Sequence, residues 1–246
     1  MKLEELIKYL LFPFLPALHN KIRRDLRKII NERGKNQNIL DIGGRKSPYT
    51  IGLKSIVTII DKHPSNSVQK SLNLGIDNKI IRSLKDNRSN IKDILVFDIT
   101  SQELPIEDKF DIVIAIEVIE HIKDIQNVLK NILSLLKPGG ILYMTTPNGD
   151  YIKNEPPNYN PDHFKHYKKK ELVKILEPHF CNVQVDYGIK MGKFWINSGR
   201  SWSLKYPFKL INTFYSSIIN QIQSVGKENE SHRTAHLFAI AKKLSK

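Results

Sequence analysis

The first half of the chain contains short apolar runs that end in a glycine turn or an acidic residue. The run at residues 39–42 indicates a buried strand, and Gly43 and Gly44 form a tight turn directly after it. Ser47 and Pro48 then indicate the start of a helix. This order lets a ligand approach the backbone closely and directs helix amide groups towards it, so the junction is a candidate ligand site.

Three further apolar runs continue this pattern. Residues 57–60 lead into Asp61, where a carboxylate could accept hydrogen bonds from both hydroxyls of a ribose. A third strand ends at Asp98, and a fourth extends from Phe110 into Glu117. Acidic residues at the ends of successive strands, beside a glycine turn, indicate a site for a nucleoside-containing cofactor.

The remaining elements follow from periodicity. Helical spacing and bounded apolar runs predict, in order, helix 3–11, helix 17–31, a helix-like segment at 78–85, helix 125–136, a turn at 138–140, strand 141–145, helix 169–176, strand 183–187 and strand 236–241. In the second helix, apolar residues at helical spacing among lysines and arginines predict an amphipathic cap that packs on the core.

The motifs NILDIGGRKSPY, ILVFDIT, FDIVIAIEVIEHI and LKPGGILYMTTPN occur in this order along the chain. In content and spacing they resemble the class I S-adenosylmethionine-dependent methyltransferases, in particular the broad group that includes quinone-biosynthesis methyltransferases. The resemblance covers residues 38–180. It implies an α/β, Rossmann-like, doubly wound sheet of seven strands, mostly parallel with an antiparallel last strand, and S-adenosylmethionine (SAM) as the cofactor.

The resemblance also implies roles for individual residues. Asp41 matches the acidic residue near the methionine amino group, and Asp61 matches the carboxylate that binds the ribose. Asp98 and Ile99 match the pair that contacts adenine. The full set of cofactor-binding residues that the resemblance implies is Asp41, Ile42, Gly43, Gly44, Arg45, Asp61, Lys62, Asp98, Ile99, Ile116 and Glu117.

The chain departs from the family pattern at Arg45 and Ser47, where the family often has further glycines. Arg45 is therefore expected near the carboxylate of the cofactor. The same departure leaves open a different class of protein, a non-catalytic SAM-binding subunit that stabilises a partner enzyme. A nicotinamide dehydrogenase is disfavoured, because its fingerprint needs G-x-G-x-x-G directly after the first strand.

Residues 117–121, Glu-Val-Ile-Glu-His, form a second candidate site at the end of the fourth strand. On a helical turn, Glu117, Glu120 and His121 would share one face, and His163 could fold over the same mouth. These four are the candidate catalytic residues, either as acids and bases or as ligands of a divalent metal. The pattern resembles the metal-binding motif of some quinone-pathway methyltransferases and of small-RNA 2′-O-methyltransferases. It is also a common sequence after this strand in the wider family, so the metal stays open.

The length of 246 residues suits one substantial domain, which we predict at residues 37–246 behind an N-terminal helical cap at 1–36. The single cysteine, Cys181, is typical of a reducing compartment. The apolar run at 9–18 is too short to span a bilayer, which needs about 20 residues. We therefore expect a cytoplasmic protein, with peripheral membrane contact left open.

The net charge of +14 is unevenly distributed. Residues 37–150 hold 14 basic and 14 acidic residues, whereas residues 1–36 hold 9 and 4, and residues 151–246 hold 16 and 7. A general bias towards lysine would have raised the charge of the central part as well. The excess on the flanks therefore favours an anionic acceptor or an anionic surface.

Residues 189–231 form an insertion before the last strand and hold seven of the 21 aromatic residues of the chain. We predict that this insertion lies on the acceptor side of the site. An apolar stripe falls on one face of a predicted helix within it: Phe208, Ile211, Phe214, Tyr215, Ile218, Ile219 and Ile222. Packing of the stripe against the sheet edge is the main expectation, with an acceptor lid or a membrane-facing helix as alternatives.

Together these observations predict a SAM-dependent methyltransferase that methylates an oxygen atom of a small, lipid-linked or sugar-containing acceptor. The sulfonium already activates the methyl group, so the protein mainly has to position the acceptor and remove its proton. The nearest alternative is an RNA 2′-O-methyltransferase, which the basic flanks and the Glu/His cluster favour. The sequence shows no RRM or KH pattern in support of that alternative.

Overall fold

The computed structural model describes residues 2–34, 36–64, 75–156, 159–199 and 205–245. Across these ranges the helices are α1 (Leu3–Leu10), α2 (Ala17–Arg33), α3 (Asn78–Asn87), α4 (Ile125–Leu135), α5 (Lys169–Leu176), α6 (Lys193–Ser198) and α7 (Pro207–Gln223). The strands are β1 (Gln37–Ile42), β2 (Ser55–Asp61), β3 (Ile91–Val96), β4 (Phe110–Ile116), β5 (Leu136–Pro147), β6 (Cys181–Lys190) and β7 (Thr234–Lys242). Short 3-10 turns occupy Phe12–Phe14, Gly44–Lys46 and Ile119–His121.

The strands form one sheet in the order β3-β2-β1-β4-β5-β7-β6. Strands β1 to β5 pair in parallel, and β7 inserts antiparallel between β5 and β6. The predicted seven-stranded, Rossmann-like sheet with an antiparallel last strand is therefore confirmed. From β1 the chain adds β2 and β3 on one side and then β4 and β5 on the other, so the strand order reverses between β1 and β4. The carboxyl ends of these strands therefore form the crevice in which open α/β sheets bind their ligands.

Alternate residues of the central strands pack on opposite faces of the sheet. Leu40 of β1 and Val113 of β4 pack in a cluster with α4 and α5, whereas Ile39 and Ile112 pack in a cluster with α2. Ile22 of α2 is fully buried in that second cluster, so the amphipathic helix does pack on the core. Both faces of the central strands are covered, which is why these strands read as continuous apolar runs.

The helix predicted to begin at Ser47 and Pro48 does not form. Only a one-turn 3-10 helix follows β1, and the chain then runs in irregular turns up to β2. Tyr49, Ile51 and Leu53 are all buried, and an α-helix does not place residues two apart on one face. The hydroxyl of Ser47 donates to that of Tyr49 at 2.6 Å instead of capping a helix. The junction after β1 is therefore a glycine turn without an α-helix N-terminus.

Strand β5 begins directly after α4, five residues earlier than predicted. The predicted turn at residues 138–140 consequently lies inside β5, where the pairing with β4 shifts in register between Phe110 and Ile112. Gly139 has a φ of 69°, a left-handed conformation that glycine adopts without strain.

Helix α7 is turned the opposite way from the main expectation. Its buried residues are the polar Thr213, Ser216, Ser217 and Asn220. The apolar stripe expected to pack on the sheet edge is instead largely exposed, with Phe208 at 85% of its maximum. The prediction of core packing was therefore wrong for this helix. The neighbouring Trp202 of the insertion lies outside the described residues.

Membrane spanning can be judged from helix length and composition. None of the helices in the described part of the chain combines the length and the apolar character that crossing a bilayer requires.

Candidate active site

A cavity of about 460 Å³ opens at the carboxyl ends of β1 to β4. This volume lies within the range of about 300–1,000 Å³ that is usual for small-molecule sites. Eight of the predicted cofactor-binding residues line it: Ile42, Gly43, Asp61, Lys62, Asp98, Ile99, Ile116 and Glu117. The fold therefore brings the residues predicted at four strand ends together on one cavity wall.

Three predicted cofactor-binding residues do not line this cavity: Asp41, Gly44 and Arg45. Arg45 lines a separate cavity of about 290 Å³, and its Nη1 donates to the carbonyl of Gly75 at 2.6 Å. Gly75 itself lies on the wall of the first cavity, and the Arg45 charge acts on Asp61 of that wall. The placement of Arg45 near the carboxylate of the cofactor stays a prediction.

Two carboxylates stand at neighbouring strand ends on the cavity wall. Oδ1 of Asp61 accepts from the backbone N–H of Lys62 at 2.9 Å, and burial raises the pKa of Asp61 despite the nearby Arg45 and Lys62 cations. Oδ1 of Asp98 accepts from the backbone N–H of Thr100 at 2.9 Å and from its hydroxyl at 2.8 Å. These bonds fix both carboxylates, which can accept hydrogen bonds from ribose hydroxyls and an adenine amino group.

Asp41 lies directly beneath the glycine turn and is completely buried. A Cβ atom on Gly44 would lie 2.3 Å from Cγ of Asp41, so only glycine leaves room for this carboxylate. Neither carboxylate oxygen has a hydrogen bond of good geometry among the described residues. Burial raises the pKa of Asp41 to about 7, although the nearby Ser47 and Thr50 hydroxyls and the Arg88 cation oppose the shift. A buried carboxyl without a well-formed hydrogen bond, directly before the cavity-lining Ile42 and Gly43, is a fitting environment for a cationic group such as an α-ammonium.

Glu117 follows β4 with a φ of 52°. Its side chain contacts residues of β5 and β7, the next two strands of the sheet. Its Oε1 accepts from Oγ1 of Thr145 on β5 at 2.7 Å and lies 3.2 Å from Nδ1 of His236 on β7. Burial alone would raise the pKa of Glu117, but the His236 imidazole at 3.2 Å, together with the hydrogen bond from Thr145, lowers it below its usual value. Glu117 is therefore ionised at the cavity wall.

Sequence reasoning missed His236 and also His19, which lies on α2. Burial and the nearby His236 together lower the pKa of His19 to about 4, against the opposing effect of Glu117. The Nδ1 atom of His19 is buried without a hydrogen-bond partner among the described residues. No local pattern marks either histidine, because only the pairing of β5 with β7 brings His236 beside Glu117.

Glu120, His121 and His163 form a separate group on the rim. One potential ligand atom from each lies within 4.8 Å of the others. Glu117 is not part of this group. Its left-handed backbone precedes the 3-10 turn, so the expectation that it shares one face with Glu120 and His121 was wrong. Glu120 is buried and accepts from Oγ1 of Thr146 at 3.1 Å; burial, followed by the charge of Glu117, raises its pKa well above the usual value.

Of these three residues, only His121 lines the cavity. Its Nδ1 lies 2.9 Å from the backbone carbonyl of Asp162. A carbonyl can only accept, so Nδ1 carries the proton and Nε2 of the neutral ring keeps its lone pair. Nε2 of His121 can therefore take a proton or bind a metal ion.

A hydrogen-bonded relay gives His163 the same tautomer. Nδ1 of His166 lies 2.8 Å from the carbonyl of Ile152, so it donates, and Nε2 of His166 then accepts from Nδ1 of His163 at 2.7 Å. Nε2 of His163 is consequently unprotonated. Burial, with the nearby His121 and His166, lowers the pKa of His163 to about 4, so the ring is neutral at physiological pH. Two imidazoles and the carboxyl group of Glu120, which would have to give up its proton, are a donor set that suits a divalent transition metal.

A family model described as "Methyltransferase domain" matches residues 15–184. Among curated proteins, the chain is similar to the ubiquinone biosynthesis O-methyltransferase of Histophilus somni, with 28% identity over 120 residues that cover 42% of this chain and 50% of the relative. The protein of the same name from Rickettsia bellii is 31% identical over 99 residues, covering 35% and 40%. The chain thus spans half or less of the length of these curated relatives.

Solved structures share the fold. The N-methyltransferase NodS from Bradyrhizobium japonicum, in complex with S-adenosyl-L-homocysteine, superposes with a TM-score of 0.55 at 15% identity, over 93% of this chain and 88% of that one. Phosphoethanolamine N-methyltransferase 2 from Haemonchus contortus, in complex with SAM, gives a TM-score of 0.56 at 17% identity, over 89% and 52%.

Proposed function

We propose a reaction for this chain, which belongs to the methyltransferase-domain family and is a class I SAM-dependent methyltransferase. It methylates a hydroxyl oxygen of a small, lipid-linked or sugar-containing acceptor. Membership of the family supports an enzyme over the alternative of a non-catalytic SAM-binding subunit. SAM is its cofactor.

The cofactor fits the cavity in its charges as well as its size. The fixed carboxylates of Asp61 and Asp98 on the cavity wall suit the ribose and the adenine. The carboxyl of Asp41, buried beneath the glycine turn behind that wall, suits the methionine ammonium. When bound there, SAM supplies a methyl group that its sulfonium has already activated. Glu117 and His121 lie on the wall of the same cavity, beyond the end of β4, where an acceptor would meet the methionine end.

The observation that carries O-methylation is the hydrogen bond from Nδ1 of His121 to the Asp162 carbonyl, which leaves Nε2 on that wall as the basic nitrogen of the ring. An acceptor hydroxyl loses its proton to this nitrogen while its oxygen takes the methyl group, and the carbon–sulfur electron pair remains on sulfur. The ionised Glu117 nearby favours the imidazolium that forms. A nitrogen acceptor would need less help with proton removal, so a base set of this kind supports an oxygen acceptor.

The lipid-linked part of the proposal has separate support. The curated relatives carry the name ubiquinone biosynthesis O-methyltransferase, at low identity and over part of their length. The flanks of this chain are basic, and helices on those flanks expose apolar side chains. An acceptor with an apolar tail, held at an anionic membrane surface, agrees with both features.

An RNA 2′-O-methyltransferase is the second candidate function. It is favoured by the Glu120, His121 and His163 group, whose ligand atoms lie within 4.8 Å of one another, and by the basic flanks. A divalent metal held there would act as a Lewis acid on an acceptor hydroxyl.

Tritium transfer from methyl-labelled SAM to three fractions of the source cells tests the proposal: a lipid extract, the water-soluble metabolites and total RNA. Label in a lipid identified by mass spectrometry as an O-methyl product would support the function proposed here. Label in RNA alone would favour the second candidate, and label in water-soluble metabolites alone would contradict the lipid link. Label on nitrogen would contradict O-methylation.

A matched variant connects the activity to the site. His121→Asn keeps a nitrogen in the place of Nδ1, able to donate to the Asp162 carbonyl, and removes Nε2. We expect this variant to bind S-adenosyl-L-homocysteine like the wild type and to lose about 100-fold in turnover. His179→Asn is the control, because His179 bonds Gln126 on the surface, away from the cavity.

A further inference from the structure

Helix α7 presents a continuous apolar stripe to solvent. Its members are spaced alternately by three and four residues and are between 41% and 85% exposed: Phe208, Ile211, Tyr215, Ile218, Ile222 and, one turn further, Val225. We call this set the α7 stripe. A surface helix of a water-soluble fold normally shows the opposite arrangement, with its apolar side packed on the core.

Hydrogen bonds and ring stacking hold α7 in this orientation. On its polar side, Nδ2 of Asn220 donates to the carbonyl of Lys190 at 2.7 Å, and the hydroxyl of Ser217 donates to the carbonyl of Leu15. Phe214 stacks on Phe14 with the ring centroids 4.7 Å apart. Rotating the stripe towards the core would break these contacts, so its exposure follows from how the helix is attached.

Helix α1 repeats the inversion. Its one buried residue is Glu5, whose Oε2 accepts from the hydroxyl of Ser89 at 2.7 Å. Leu3 is 74% exposed and Leu10 63%, with Leu6 and Ile7 exposed between them. Helix α1 leads directly into the Phe12–Phe14 turn, on which α7 packs, so the two exposed apolar faces adjoin the same turn.

The charge of the segments around these helices is predominantly positive. Helix α7 contains no acidic residue, and Lys205 and Lys209 stand at its start. The segments that carry both helices hold the entire excess of positive charge, with 9 basic against 4 acidic residues up to residue 36 and 16 against 7 from residue 151. Apolar faces bordered by lysines complement a surface that has an apolar interior and anionic groups at its rim.

We propose that the α7 stripe, together with the exposed face of α1, docks the enzyme on a bilayer that contains anionic phospholipids. The apolar side chains enter the boundary between headgroups and acyl chains, and the lysines pair with lipid phosphates. A second copy of the chain is the less suitable occupant, because two copies of net charge +14 repel each other and the stripe offers no acidic partner. Docking would give the enzyme access to a lipid-linked acceptor, and in this respect the inference deepens the proposed function and rests on it.

Co-sedimentation with two kinds of vesicle tests the docking surface. We expect the protein to bind phosphatidylcholine vesicles that contain phosphatidylglycerol at least about tenfold more tightly than vesicles of phosphatidylcholine alone. The double variant Ile211→Ser/Ile222→Ser should bind the anionic vesicles at least about tenfold more weakly. Its control is Leu244→Ser, since Leu244 is also exposed, at 63%, but lies beside Gly139 of β5, whose backbone N–H donates to the Leu244 carbonyl. The control should bind like the wild type.

Charge reversal and the oligomeric state complete the test. Lys205→Glu/Lys209→Glu should also weaken binding to anionic vesicles at least about tenfold, with an unchanged melting temperature and unchanged affinity for S-adenosyl-L-homocysteine. Equal binding to both vesicles, or binding to neither, would overturn the proposal. So would a concentration-dependent dimer that the Ile211→Ser/Ile222→Ser variant dissociates. Vesicle binding by a protein that methylates only RNA would leave the docking surface in place and refute the lipid-linked acceptor.

Discussion

Nδ1 of His236 lies 3.2 Å from Oε1 of Glu117, across the sheet from the antiparallel strand β7 to the end of β4. Thr145 on the intervening strand β5 donates to the same oxygen at 2.7 Å. The Glu117 carboxylate at the cavity wall is therefore positioned by β5 and β7, which lie beyond the four strands whose ends form the cavity.

Replacing His236 by Asn should change the pH profile of the enzyme. Without the His236 imidazole beside the carboxylate, burial dominates and the pKa of Glu117 rises. We expect the acid limb of kcat/KM against pH to move to higher pH, and kcat at neutral pH to fall about tenfold. His179→Asn serves as the control histidine. An unchanged profile in His236→Asn would show that Glu117 is not a titrating group of the reaction.

Replacing Asp61 by Ala should weaken cofactor binding. The carboxylate lies on the cavity wall and accepts from the Lys62 amide, so its loss removes a charged acceptor for ribose hydroxyls. We expect a cost of about 1.5–3 kcal/mol, or roughly 10- to 100-fold in Kd, by calorimetry with S-adenosyl-L-homocysteine. Asp93→Ala, at an exposed carboxylate on β3 that pairs with Lys85, should leave the affinity unchanged. Equal losses in both variants would point to a general charge effect instead.

Local patterns were sufficient for most of the sheet and for the cofactor end of the site. The strand ends at Ile42, Asp61 and Ile116 are marked by apolar runs followed by glycine or acidic residues, and such signals depend only on neighbours in sequence. The tight junction after β1 was harder. Its buried residues alternate through irregular turns, and Ser47 and Pro48 are also good helix starters, so the sequence favoured a helix that tertiary packing does not form.

Helix α7 and the contacts between β4, β5 and β7 were predicted less well, for two physical reasons. An apolar stripe has the same periodicity whether it faces the core or the solvent, so the sequence could not orient α7. The pairing of Glu117 with His236 depends on the register of β5 against β7, which places His236 opposite Pro147. A register between distant strands leaves no local mark on the sequence.

Chelation should separate a metal-dependent enzyme from a metal-independent one. If Glu120, His121 and His163 hold a divalent ion, a chelator abolishes activity and one added metal restores it, because the neutral imidazoles are ready ligands. We then expect His163→Gln to weaken metal affinity by about 10- to 100-fold, measured by calorimetry in the absence of SAM. Activity that persists in the chelator would leave the proton transfer to the imidazoles alone.

Asp41 should make both stability and cofactor binding depend on pH. Its pKa is about 7 in the fold, against a usual value of 3.8, because it is buried. The folded state therefore holds the proton more tightly than the unfolded state, so the unliganded protein loses stability as the pH rises from about 4 to above 7. Asp41→Asn should remove this loss. At pH 8 the variant should unfold at a higher urea concentration than the wild type, whereas at pH 5 the two should differ little.

Cofactor binding should respond to the same group in the opposite direction. If the methionine ammonium sits beside Asp41, it stabilises the ionised carboxylate, so binding expels the proton and the affinity of the wild type rises as the pH increases through 7. Between pH 6 and pH 8 we expect a gain of about tenfold in affinity for S-adenosyl-L-homocysteine, accompanied by proton release that calorimetry in two buffers of different ionisation enthalpy detects. Asp41→Asn should bind more weakly at pH 8 and show neither the pH dependence nor the proton release. A wild type whose affinity is flat over this range would place the ammonium away from Asp41.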